Sequence, residues 1–265
     1  MGKKLAGMSF FDELDYWDAK ICKIAKSWGL DWHPIEYEIC DYHDMMSAMT
    51  YHGLPVCYSH WSFGRDFERL QRMYDAGVEG LPYEMILNSR PSLAYLMREN
   101  ELPLQVLIMA HCVGHSDFFK NNVSFAHTHP ESVFERVKTA AKRLRGYVED
   151  PSIGIDSVES VLDAARSLRF QTDRYPNVKR LTHDQQVEKY RRLIQEDDRG
   201  KFKDFDLDRF PLDPDDDLLS FIGANSKHLR DWERDILEVI HAEGQYFLPQ
   251  VRTKLGNEGW ASHIH

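Results

Sequence analysis

Long apolar runs are missing: none in the 265-residue chain approaches the roughly 20 residues that a membrane-crossing helix needs. Met1 to Met8 carries Lys3 and Lys4 but leads straight into Asp12, Glu13 and Asp15 with no apolar core, so it does not read as a secretory signal. An excess of positive charge is also missing. Lys plus Arg number 33 against 43 for Asp plus Glu, a net charge of −10, and the basic surface that drives nucleic-acid or anionic-membrane binding is excluded. The four cysteines, Cys22, Cys40, Cys57 and Cys112, are scattered and form no Cys-x-x-Cys pair. Reduced thiols and a cytoplasmic location are the expectation. No internal repeat or low-complexity tract is present.

Histidine, by contrast, is abundant, with 13 residues. The most informative stretch is Ala110-His111-Cys112-Val113-Gly114-His115-Ser116-Asp117, after the apolar run Leu102 to Met109 with Pro103 suited to a first helical turn. In a helix to about Asn121, His111 and His115 lie at i and i+4 on one face, where two imidazoles can share a metal ion. The familiar zinc-hydrolase helix is His-Glu-x-x-His, with the Glu activating water. Here Cys112 occupies the Glu position, so a base has to come from elsewhere. Gly114 between the histidines lets a second backbone approach the helix.

Ser9 caps a helix running to Gly29 with Phe10, Leu14, Trp17, Ile21, Ile24, Ala25 and Trp28 as its apolar stripe. Ile35 to Cys40 alternates with period two, placing Glu36 and Glu38 on one face of a strand. That face is either a solvated exterior or a carboxylate wall near the histidines. Asp41 caps a short helix to Gly53, Pro55 to His60 reads as a second strand, and an amphipathic helix through Phe67, Leu70 and Met73 ends at Gly77. Tyr83 to Asn88 is a third strand with Glu84 and Asn88 on one face, and Pro91 opens a short helix through Leu93, Leu96 and Met97.

The expected class is α+β and predominantly helical, a small sheet of short strands backing the central His-x-x-x-His helix in a zincin-like core. Residues 1–128 form that core. Residues 129–265 are helical, with amphipathic segments from Glu131 to Tyr147, Ile155 to Leu168 and His228 to Glu243, and Gly244 to His265 ends inside a helix. The helices of 228–265 complete the core. Residues 171–217, with Pro176, Pro211, Pro214 and the acids Asp213, Asp215, Asp216 and Asp217, read as a long polar connection with little regular structure.

Four ordered motifs resemble the SpoVR-like family, named for stage V sporulation protein R. They are Gly29-Leu30-Asp31 with Tyr37-Glu38-Ile39-Cys40, Ser59-His60-Trp61-Ser62-Phe63-Gly64, Ala110-His111 through His115 to Phe118-Phe119-Lys120-Asn121-Asn122, and Asn257-Glu258-Gly259-Trp260-Ala261-Ser262. The resemblance implies a bacterial protein linked to sporulation through spore cortex formation or to stress response. It also implies partners, a PrkA-like serine kinase and a von Willebrand type A-like protein. Family members continue past the last motif, which implies that this chain corresponds to the N-terminal part of a longer protein.

The last motif also resembles the second motif of thermolysin-like zincins, where a Glu on a later helix is the third zinc ligand. Glu258 is therefore the expected third ligand beside His111 and His115, and the ion a divalent metal, zinc from the donor set. His265, seven residues on and about 10 Å along the axis, suits a second metal, substrate or outer position. Asp117 and Asn121 are candidates to orient the histidines, and His60, Glu84 and Cys112 are further candidates around the site. Glu38 or Glu36 is the candidate base. Two functions fit: a metal-dependent hydrolase of peptide, amide or cell-wall-type bonds, or a non-catalytic scaffold for the kinase-linked partners.

Overall fold

The computed structural model describes residues 8–55, 58–78, 80, 82–173, 181–196, 200–201, 206–207, 212–213 and 216–265. It is a predominantly helical α+β protein with one three-stranded mixed sheet among the described residues. Two compact units divide the chain, the first running through Ser160 together with Gln245–His265, the second covering Val161–Gly244.

In the first unit, α1 (Phe10–Ser27) begins at Ser9, whose hydroxyl accepts from the Asp12 backbone while Asp12 returns a bond to Ser9, a reciprocal cap. Leu14 and Ala25 of its stripe are buried, while Ile24 and Trp28 are exposed. Asp41 caps α2 (Tyr42–Thr50) in the same way. Three strands follow the order β1 (Ile35–Cys40), β3 (Ser92–Met97), β2 (Glu84–Leu87), β3 running parallel to β1 and antiparallel to β2.

The helix expected from Pro91 is thus the central strand. Ser92, Ala94 and Leu96 are fully buried and alternate with half-buried Leu93, Tyr95 and Met97, and pairing on both edges satisfies the backbone better than two isolated helical turns would. The strand expected at Pro55 to His60 is also revised. Val56 and Cys57 lie outside the described residues, Pro55 and Tyr58 to His60 are not in a strand, and His60 instead caps α3 (Trp61–Asp75).

Residues Tyr37, Ile39, Ala94, Leu96 and Ile86 share a sheet face with α4 (Leu102–Asn121), joining Leu14, Ile108, Met109 and Cys112 in one apolar cluster. Register places Glu84 beside Leu96 and Leu96 beside Ile39, so Glu84 is the carboxylate on the face that α4 covers. After α5 (Val133–Glu149) and α6 (Gly154–Ser167), the second unit contains α7 (His183–Gln195) and α8 (Leu218–Asn225). The polar connection expected over 171–217 therefore holds a helix, started by a Thr182–Gln185 capping box that polar composition masked. In this unit Asp217 caps α8 and its carboxylate meets His241 Nε2 at 2.6 Å.

The final helix, α9, is continuous over Asp231–Ile264 despite Gly244 and Pro249. Its last turns cross α4 at Gly114, where an added Cβ would lie 2.8 Å from Ala261 Cα and 3.2 Å from Ile264 Cβ. A β-branched side chain there has to push a backbone away. Gly114→Val is expected to cost about 1–3 kcal/mol, as overpacking does, measured as a lower urea midpoint; an unchanged midpoint would contradict the close crossing.

Candidate metal centre

One helical turn on α4 brings His111 and His115 together with their Nε2 atoms 2.9 Å apart. Glu84 Oε1 lies 3.8 Å from His111 Nε2 and 3.9 Å from His115 Nε2. From the opposite side, Glu258 Oε2 on α9 lies 3.6 and 3.7 Å from the same two nitrogens. Glu84, His111 and His115 offer ligand atoms that all lie within 4.8 Å of one another, while Glu258, near both histidine nitrogens, stands outside that group. Ligands about 2.0–2.2 Å from a tetrahedral zinc are about 3.3–3.6 Å apart, a spacing that the observed 2.9–3.9 Å brackets.

A hydrogen bond assigns the His115 tautomer. His115 Nδ1 is 2.9 Å from Asn257 Oδ1, and an amide oxygen only accepts, so Nδ1 carries the proton and Nε2 presents a lone pair. His111 Nδ1 lies 2.9 Å from His265 Nδ1, and its Nε2 is within hydrogen-bond distance of the His115 Nε2 lone pair, so a cation at this point would take the place of the proton shared by the two rings. Metal-binding histidines characteristically donate their outer nitrogen to an oxygen, as His115 does to Asn257.

The electrostatics agree with the geometry. Burial, then the neighbouring His115, pulls the His111 pKa below 6.5 and keeps the ring neutral. Burial also raises the Glu84 carboxyl, with His115 and the Cys112 thiol acting against it. The buried Cys112 thiol is held protonated by burial and by Glu84, and its Sγ lies 3.5 Å from Glu84 Oε2. A buried carboxylate beside neutral imidazoles is costly unless a cation joins it.

The remaining candidates sort by position. Asp117 accepts from the Asp31 backbone at 2.8 Å, from Trp260 Nε1 at 3.0 Å and from Asn121 Nδ2 at 3.1 Å, so it ties α9 and the segment before β1 to α4. Asn121 also donates to the Asp31 carbonyl, and Lys120 pairs with Asp31. These residues hold the scaffold of the histidines. His265 sits against the outer nitrogen of His111. His60 is engaged at the start of α3, with Nδ1 2.7 Å from Ser62 Oγ. Glu36 and Glu38 are exposed and alternate with Tyr37 and Ile39, so they face away from α4 and are not brought to the histidines.

Sequence reasoning underrated Glu84 and gave no role to Asn257 or Trp260. The sequence shows Glu84 as one carboxylate at the head of the apolar run Met85-Ile86-Leu87, and only the register with β3 turns it toward α4.

The family model described as SpoVR like protein matches residues 9–265. The chain belongs to the SpoVR-like family. Its sequence is 37% identical over 273 residues to the uncharacterized protein YcgB of Escherichia coli (strain K12), an alignment covering 96% of this chain and 53% of YcgB. The SpoVR-like chain thus spans about half the length of the curated relative it matches. No solved structure matches it. Among its described residues no helix is long and apolar enough to cross a membrane.

In the metal-free protein, the folded-state pKa of His111 lies below 6.5, so the unfolded chain binds the extra proton first and this group's contribution to stability is lost as pH falls below 6.5. NMR titration of the His111 ring is expected to give a midpoint under 6.5; a midpoint above it would contradict the buried, neutral assignment.

Proposed function

We propose that this SpoVR-like chain holds one divalent ion, zinc by its donor set, through His111, His115, Glu84 and Glu258, and uses it to hydrolyse a peptide, amide or cell-wall-type bond. The observation that carries the reading is the grouping of Glu84, His111 and His115 within 4.8 Å of one another, from β2 and α4, with Glu258 Oε2 of α9 at 3.6 and 3.7 Å from the histidine nitrogens. A bound zinc ion supplies a Lewis acid that polarises a carbonyl and makes water a nucleophile at neutral pH.

The protein groups then divide the work by exposure. His111, His115 and Glu84 are buried or nearly so and form the fixed side, the histidines oriented by Asn257 and the α9 backbone. The Glu258 side chain is 51% exposed, so it is the arm on the open side, able to move off the ion and accept a proton from the attacking water. The base role falls to Glu258 rather than to Glu36 or Glu38, which face the other side of the sheet.

A second reading has one observation in its favour. Four protein donors around one point can satisfy a tetrahedral ion completely, the closed form of a structural site. The chain is then a scaffold whose ion fastens α9 to α4. The role in sporulation, spore cortex formation or stress response, and the PrkA-like kinase and von Willebrand type A-like partners belong to the proposal through family resemblance, and the cytoplasmic location through the unpaired spacing of the cysteines.

Metal analysis of the purified chain is expected to give about one equivalent of zinc. His111→Ala and Glu84→Gln should lose it. Glu258→Gln should retain it while cleavage of a generic peptide or amide library falls by about 10²–10⁴-fold. Metal-free wild-type protein of unchanged stability would sink both readings. Bound metal with no cleavage in wild type would favour the scaffold.

A further inference from the structure

Resting on that metal reading, we propose that Cys112 is a positioning residue which limits Glu84 to one coordinating oxygen and so fixes a four-coordinate, zinc-type site.

Cys112 stands where a zincin helix has its Glu, but its side chain turns from the histidine face into the core, where it is fully buried. Its Sγ lies 3.5 Å from Glu84 Oε2, within reach of a thiol hydrogen bond. The two oxygens of Glu84 are therefore differentiated. Oε2 accepts from the thiol, and Oε1 is the atom 3.8 and 3.9 Å from the histidine nitrogens.

A carboxylate with one oxygen engaged elsewhere binds a metal through the other alone. With two imidazoles that makes three protein donors, and Glu258 or a water in the fourth position completes the number zinc prefers. Calcium and other hard ions with six to eight oxygen ligands rely on bidentate carboxylates, which the thiol disfavours here. The thiol also holds the Glu84 side chain in place on a four-residue edge strand. Groups that hold a ligand from behind in this way are worth about 10–100-fold in metal affinity.

The test uses the 265-residue chain loaded with Co(II), whose visible bands are intense in four-coordinate sites and weak in higher-coordinate ones. Wild type is expected to show the intense bands, and Cys112→Ser, which keeps a donor, to preserve them. Cys112→Ala and Cys112→Val, which lack one, should show weakened bands and about 10-fold weaker zinc binding by chelator competition. Val is apolar, lacks the donor and leaves no cavity, so it serves if the Ala variant fails to fold. Folded Ala or Val variants with wild-type bands and affinity would overturn the positioning role while leaving the metal site standing. Wild-type protein that binds neither Co(II) nor zinc would overturn the site and this inference together.

Discussion

The site depends on the close passage of α9 over α4 at Gly114. Without a Cβ there, Ala261 and Ile264 approach the α4 backbone, and that approach sets the height at which Asn257, Glu258 and His265 meet the two histidines. Gly114 costs its helix about 1 kcal/mol relative to Ala. The cost is offset by what the crossing allows, a buried Ala261 and the Trp260 indole bonded to Asp117. Asp117 makes the crossing rigid by binding α9 and the segment before β1 with the same carboxylate.

A second constraint comes from below α4. The sheet presents a largely apolar face to the helix, with Ser92 bonded to Ser116 of α4 and Glu84 the one carboxylate, in register with Leu96 and facing Cys112. A lone carboxylate there would be disfavoured by several kcal/mol if charged and unpaired. Its surroundings are the His111 and His115 rings and the Cys112 thiol. The fold therefore brings together nitrogen and oxygen donors able to attract a cation in common, Glu84 from β2 and the two histidines from α4, with Glu258 of α9 beside the histidines.

Much of this was legible in the sequence. The α4 helix, the i, i+4 histidines and the close approach at Gly114 follow from spacing and residue type, as do the caps at Ser9 and Asp41, while the carboxylate on the final helix came from the resemblance of its motif to that of zincins. What escaped was set by pairing across distant segments. Ser92 to Met97 carries a leucine spacing that suits a helix, and only its two strand neighbours make it β3. Glu84 and Glu38 each lie in a short alternating segment, and nothing local says which one faces α4; register with β3 decides it. Asn257 gains its role only once His115 is beneath it, 142 residues away in sequence.

The central claim is that His111, His115, Glu84 and Glu258 surround a single metal ion. X-ray absorption at the zinc edge, on the purified chain after one equivalent of zinc, tests it most directly. The account predicts a first shell of nitrogen and oxygen at about 2.0–2.2 Å with the outer-shell scattering of two imidazoles. A sulfur shell at about 2.3 Å, or a shell of water oxygens without imidazole, would contradict it.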